Sequence, residues 1–393
     1  MLFNSPAFLG FFLVVFSLYW VLGNHSRQNV FLIAASYFFY GSWSWKFLLL
    51  LIFSTLFDYS CALAIEKTKQ PPRRRLLLLA SVAVNLTLLG IFKYAGFFSQ
   101  QASNLLRGLG ISAHLPVLTF ILPVGLSFYT FQSLGYVIDV YRTKLPAVRC
   151  LRDYALYVAF FPQLVAGPIE RASHMLGQYR RDRVFSASML ETGLMLLLWG
   201  LFKKMVIADN LAPYVNAVFR EPAMYSGPAI MTAVVFFSFQ IYCDFSGYSD
   251  CARGIARTLG IEIIANFNLP YVSRNAVEFW QRWHISLSRW FQDYLYFPLA
   301  MHFLRKGSIG KYWAHIISFV LIGFWHGANW TFVAFGLYWG LVIALYLSAG
   351  DRLATASAPA LLRFIPARLR VAAGVITTFC IACFGWLYFV RTQ

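Results

Sequence analysis

HIISFVLIGFWHGANWTFVAFGLYWGLVIALYL, from His315 to Leu347, lies in a stretch with no Asp, Glu, Lys or Arg anywhere between Lys311 and Asp351. A membrane-spanning helix needs about 20 apolar residues. The run therefore predicts either one long tilted helix or two half-segments meeting near its middle. His326 sits at that middle, bracketed by Gly323, Trp325, Gly327 and Asn329. Ionisable side chains at membrane depth are costly, so they usually face an internal cavity and mark a functional path.

Working upstream, EFWQRWHISLSRWFQDYLYFPL (Glu278–Leu299) predicts an amphipathic helix. Trp280, Trp283, His284, Leu287, Phe291 and Tyr294 recur at helical spacing on one face, with Arg282, Ser286, Arg289 and Asp293 on the other. His284 thus falls on the apolar face. One such histidine is ordinarily a core residue satisfied by a backbone carbonyl. A second, in a glycine-flanked break of an apolar run, points to a reactive site.

Composition sets the class. Of 393 residues 59% are hydrophobic and only 12% charged, with mean hydropathy +0.61, whereas soluble domains carry about 25% charged residues. An all-α, multi-pass integral membrane protein follows. The net charge of +18 would suggest nucleic acid in a soluble chain. Here basic residues gather in loops between apolar runs, as the positive-inside bias predicts. Nucleic acid is therefore not an expected partner, although an acidic ligand could use a few of these cations. No Lys or Arg precedes the Phe8–Leu22 run and no cleavage site follows it, so it reads as a retained span. The scattered cysteines and histidines show no metal-ligand spacing, and no metal or disulfide framework is expected.

The apolar runs are Pro6–Leu22, Asn29–Trp45, Lys46–Ile65, Leu76–Phe98, Pro116–Val140, Met189–Ala208, Pro228–Cys243, His315–Leu347 and Val371–Val390. They predict a single domain, residues 1–393, of about nine to eleven membrane helices. Placing the N-terminus outside puts Lys67, Lys69, Arg73, Arg74 and Arg75 in the cytoplasm, leaves Ser99–Leu115 outside, and returns Arg142, Lys144, Arg149 and Arg152 inside. Tyr154–Pro168, interrupted by Pro162, Gly167 and Pro168, and Glu278–Leu299, too charged to span, read as re-entrant or interfacial segments. Such backbone is tolerated only beside protein or a wet cavity, so a central cavity or funnel is expected. The 350–370 segment, ending in Arg363, Arg368 and Arg370, reads as a loop.

FPQLVAGPIER (Phe161–Arg171), YCDFSGYSD (Tyr242–Asp250), NFNLPYVSRNAVEFWQRWHISLSRWFQDYLYFPL (Asn266–Leu299) and GFWHGANWTF (Gly323–Phe332) together resemble the membrane-bound O-acyltransferase family. The likeness is greatest to its bacterial alginate-acetylating branch. LFNSPAFLGFF and IAASYFFYGSW extend it to nearly the whole chain. The resemblance implies transfer of an acyl group, acetyl as expected, from a cytoplasmic thioester such as acetyl-CoA to hydroxyls of an extracytoplasmic polysaccharide, or to a periplasmic partner acetyltransferase. It further implies residence in the bacterial inner membrane and no tightly held cofactor. The loop after Pro298, LAMHFLRKGSIGKYW, departs from the branch in lacking a double glycine, and the chain stops at Gln393 where branch members often continue.

A thioester is electrophilic without a metal; the slow part is making an alcohol nucleophilic. A positioned base contributes about 10²–10⁴-fold, and histidine is the usual choice. His326 matches the family's WHG histidine and is assigned as base, its burial keeping the imidazole neutral. His284 matches the second motif and would polarise the carbonyl or orient substrate. Asn329 shares a face with His326 or caps a broken helix. Asp244, Ser246 and Asp250 read as capping or salt-bridging groups at the end of an apolar run, with Arg253 or Arg257 as partners, in preference to catalysis. Arg282 and Arg289 would hold donor phosphates or lie on anionic membrane lipid. Lys203 and Lys204, inside an apolar run, would snorkel or touch the donor. His25, His114, His174, His302 and His315 read as structural. A proton-coupled transporter should show paired broken helices in matching halves, and none is visible. A non-catalytic docking subunit of a polysaccharide export complex has no need of buried histidines.

Overall fold

The computed structural model describes residues 1–111, 120–165, 167–304, 309–355 and 366–390; His114, Arg363 and much of the 350–370 loop lie outside them. Every described regular element is a helix. Hydrocarbon leaves a chain little choice, because backbone N–H and C=O groups must be satisfied internally there. Among the described residues, five helical stretches are long and apolar enough to cross a membrane: Trp45–Lys67, Pro71–Gly108, Gly227–Thr258, Trp330–Gly350 and Ala367–Val390.

The described residues cluster into two compact units. The first comprises Met1–Phe202 and Gly247–Ile264. It contains α1 (Pro6–Val21), α2 (His25–Gly41), α3 (Trp45–Lys67), α4 (Pro71–Leu89), α5 (Ala95–Gly108), α6 (Leu126–Tyr141), α7 (Leu151–Ala159), α8 (Phe161–Leu164), α9 (Ala172–Tyr179) and α10 (Ala187–Leu201). Its core is aromatic, with Tyr19, Phe39, Tyr129, Tyr154, Phe161 and Tyr179 fully buried. Some of its phenols find carbonyls: Tyr19 donates to the Leu259 oxygen at 2.7 Å and Tyr157 to the Glu170 oxygen at 2.9 Å. The short α7–α8 pair, at Tyr154–Pro168, is buried in this unit rather than spanning. Of the Pro116–Val140 run, residues 120–125 are not helical and the helix begins at Leu126. Pro123 and Gly125, the latter left-handed (φ +75°) and packed against the Leu164 carbonyl, delay the helix start.

The second unit comprises Lys203–Ser246 and Ala265–Gln393. It holds α11 (Asp209–Arg220), α13 (Ala276–Arg282), α14 (Ile285–Phe291), α15 (Phe297–Leu304), α16 (Gly310–His326), α17 (Trp330–Thr355) and α18 (Ala367–Val390). Helix α12 (Gly227–Thr258) contributes residues to both units. The sequence had this helix stopping near Cys243, with Asp244, Ser246 and Asp250 at its end. Instead it runs on for several turns, because Ser246, Ser249, Cys251, Ala252 and Ile255 are buried and the charges are paired. Asp244 bonds Lys204 at 2.5 Å and Asp250 bonds Arg253 at 3.0 Å, so the ion-pair reading holds and the capping reading does not.

The His315–Leu347 run is two helices. After His326 the backbone at Gly327 turns extended (φ −169°, ψ 156°), and α17 begins at Trp330. The Asn329 side chain accepts the Thr331 N–H at 3.0 Å, so of its alternatives Asn329 fills the capping one. Helices α16 and α17 then pack backbone to backbone. A Cβ placed on Gly323 would lie 2.1 Å from the Phe332 carbonyl oxygen, and one on Gly336 2.2 Å from that of Phe319. Small residues at such crossings are what let membrane helices approach this closely.

Candidate active site

Glu278–Leu299 is not the continuous amphipathic helix its periodicity predicts. It breaks at His284, between α13 and α14, each seven residues long and too short to span. His284 has φ +43° and ψ 55°, the left-handed region that a non-glycine residue seldom enters. The break is pinned on both sides. The Trp283 N–H closes α13 onto the Phe279 carbonyl at 2.8 Å, and the Ile285 N–H donates to the Asn266 carbonyl at 2.9 Å. The Asn266 side-chain oxygen takes the Ser286 hydroxyl at 2.6 Å. Periodicity missed the break because these long-range anchors, not local spacing, create it.

The result is a buried imidazole, 1% exposed, with neither ring nitrogen hydrogen-bonded among the described residues. Burial pulls its pKa down to about 3, so the ring is neutral and carries one donor and one acceptor. Phe245 meets it edge-on at 4.7 Å between centroids, and the Trp325 indole lies at 6.2 Å.

Trp325 is the residue that brings the histidines together. Its ring is also 4.8 Å from that of His326, so one indole borders both imidazoles. His326 ends α16 and is partly rather than fully buried, which corrects the expectation of burial; a C-terminal position opening into the Gly327 break leaves it less covered. Phe389 stands at 5.1 Å, Phe335 at 6.0 Å and Phe332 at 6.4 Å from its ring.

The predicted cations divide. Lys203 and Lys204 lie on a π-helical segment, Phe202–Ala208, of the kind that often marks a functional site. Lys203 is 5% exposed and donates to the Ser246 hydroxyl at 3.0 Å, next in sequence to the Phe245 that abuts His284. Lys204 is held by Asp244 and Asp209, the latter at 2.9 Å, which ties its charge to carboxylates. Arg282 pairs with Glu278 at 2.8 Å, and that carboxyl is held below its ordinary range by the Arg274 backbone N–H and by both arginines.

Arg289, by contrast, lines a cavity of about 620 Å³ among α13, α14, α16 and α17. Trp280, Tyr296, His315, Ser318 and Ile322 share that lining, and neither His284 nor His326 does. Two buried polar atoms in its wall, the Trp280 ring nitrogen and the Ser318 hydroxyl, have no hydrogen-bond partner among the described residues. His315 stacks on Tyr296 at 4.2 Å. The sequence reading took His315 as structural and gave Ser318 no role. Their spacing of three within an apolar run was the available signal, since it sets both on one face of α16.

Comparison with known proteins bears on what this arrangement does. The sequence model described as "MBOAT, membrane-bound O-acyltransferase family" matches residues 32–390. The chain is 38% identical over 393 residues to the Pseudomonas aeruginosa protein named "Probable alginate O-acetylase AlgI", covering 99% of this chain and 72% of that one. It is 36% identical over 377 residues to the peptidoglycan O-acetyltransferase of Helicobacter pylori, covering 88% and 70%. It is 29% identical over 236 residues to the teichoic acid D-alanyltransferase of Streptococcus thermophilus, covering 56% of each.

Proposed function

Since the chain belongs to the membrane-bound O-acyltransferase family, a family of multi-pass membrane proteins, we propose that it moves an acetyl group from a cytoplasmic thioester to an extracytoplasmic polysaccharide. The final acceptor is either the polymer hydroxyl itself or a periplasmic acetyltransferase that completes the transfer. The names of the relatives, alginate O-acetylase and peptidoglycan O-acetyltransferase, support a polysaccharide in this role. The inner membrane is the compartment where a cytoplasmic donor and an extracytoplasmic acceptor meet.

In the reaction, His326 takes the proton of the acceptor hydroxyl as its oxygen attacks the thioester carbonyl. The C–O bond forms, the C–S bond breaks, and the proton passes from His326 to the departing thiolate. His284 is neutral, so its N–H can donate to the carbonyl oxygen as negative charge develops there. Its ring nitrogens, without a hydrogen-bond partner among the described residues, suit that task, because an N–H already committed to the protein would have to be released first. Lys203 adds positive charge on the Ser246–Phe245 side of the same imidazole. The cavity between α13 and α17 suits the donor, with Arg289 in its lining to meet a phosphate. Arg282 and Lys204, already paired with carboxylates, fit scaffold roles better.

The observation that carries the reading is the single indole of Trp325 bordering both histidines. The test is the O-acetyl content of the cell's exopolysaccharide with wild-type protein and with His326→Ala at equal membrane levels. Loss of ester is expected. Unchanged acetylation would remove His326 from the chemistry and leave the docking-subunit reading standing.

A further inference from the structure

The rings around His326 form a closed group. Phe389 contacts Phe332 at 5.0 Å and Phe335 at 4.7 Å between centroids, and all three also face the imidazole. Two of them are seated against the rest of the protein. A Cβ on Gly327 would lie 2.1 Å from the Phe332 ring, so that ring is seated directly on the backbone after His326. Phe335 is 0% exposed and stacks on Trp386 at 5.7 Å. Phe389, on α18, is half-buried, as is Phe332, and it closes the group from a separate helix.

Resting on the acyl-transfer reading above, we propose that Phe389, packed against Phe332 and Phe335, sets the upper size of the acyl group that this protein transfers. While the hydroxyl oxygen attacks and the thiolate leaves, the acyl carbon must sit beside the base at His326. Whatever extends beyond that carbon points among the groups surrounding the imidazole. A methyl group fits beside packed rings, and a longer chain must displace one. Because Phe335 is fully buried and Phe332 rests on the Gly327 backbone, the limit falls on Phe389, which reaches the group from another helix. Overpacking of close-packed side chains is resisted, and rejection of a single extra methylene is worth about 10–200-fold in rate.

The test uses membranes of producing cells carrying the full-length protein, given acetyl-CoA and butyryl-CoA in competition. The butyryl:acetyl ester ratio on the polysaccharide fraction is read by mass spectrometry. Phe389→Ala is expected to raise that ratio by about tenfold or more, with Phe389→Leu between it and wild type. If the rings only pack α18 onto α17, the variants will lower total ester and leave the ratio unchanged, which overturns the proposal. Should the alanine variant not accumulate, the ratio in Phe389→Leu decides. Wild-type membranes that transfer neither group would refute acyl transfer from coenzyme A thioesters itself, a result separable from an unchanged ratio.

Discussion

Placing a methyl group on Gly323 should cost both stability and activity. The added Cβ would sit 2.1 Å from the Phe332 carbonyl oxygen, 2.8 Å from the Gly336 nitrogen and 2.9 Å from its Cα, where ordinary contact begins at 3.4 Å. These are backbone atoms of α17, which cannot rotate away as a side chain can. The hairpin must therefore open by about 1 Å, and overpacking of this kind costs about 1–3 kcal/mol. His326 follows Gly323 by three residues on the same helix, so an opening of α16 displaces the imidazole as well. Misplacing a catalytic group by about 1 Å costs on the order of 10²-fold in rate. Gly10→Ala is the matched control: its Cβ meets nothing within 4 Å, and replacing a mid-helix glycine by alanine gains roughly 0.5–1 kcal/mol. Thermal unfolding of both purified variants in detergent, together with acetyl transfer in membranes, checks the pair. If Gly323→Ala melts and transfers as Gly10→Ala does, the close approach of α16 and α17 does not position His326.

Arg289→Ala should raise the KM for a coenzyme A thioester, whereas Arg282→Ala should leave KM unchanged and lower the melting temperature, because Arg282 is tied to Glu278 at 2.8 Å and Arg289 lines the cavity; initial rates against donor concentration decide it. His174 gives a pH dependence: its ring bonds the buried Glu170 carboxyl at 2.8 Å, which, against opposing burial, raises its pKa above the ordinary value. Its stabilisation is then complete below the unfolded value of about 6.5 and is lost as pH rises through the higher folded value. The melting temperature should fall across that window, and a His174→Gln variant should show less of the fall.

The apolar runs made the helices legible, and the two motifs carried both histidines, because membrane burial and the WHGAN and RWHISLS signatures are local properties of the chain. What failed did so for non-local reasons. Helix α12 passes beyond Cys243 because Lys204 and Arg253 neutralise its carboxylates, Lys204 from a distant segment. Glu278–Leu299 has a helical period throughout, yet Asn266 captures the Ile285 N–H and the Ser286 hydroxyl and breaks the helix at His284. The sequence could not show that, of Arg282 and Arg289, equivalent on a helical wheel, it is Arg289 that would line a cavity.

The state of His284 argues for a role beyond packing. A left-handed, non-glycine residue costs on the order of 1–3 kcal/mol, and a buried polar group left without a hydrogen bond costs about 1–3 kcal/mol more. A histidine serving only as filler would be more stable as an apolar side chain in an unbroken helix. The fold instead fixes this strained residue with Asn266 on one side and Phe279 on the other, and sets its bare ring against the indole that borders His326. Under the proposed mechanism, rigidity at that point would let a neutral imidazole meet a developing oxyanion without reorganising. The strain and the ring nitrogens left without a partner among the described residues are then one feature, a hydrogen-bond donor suited to a ligand.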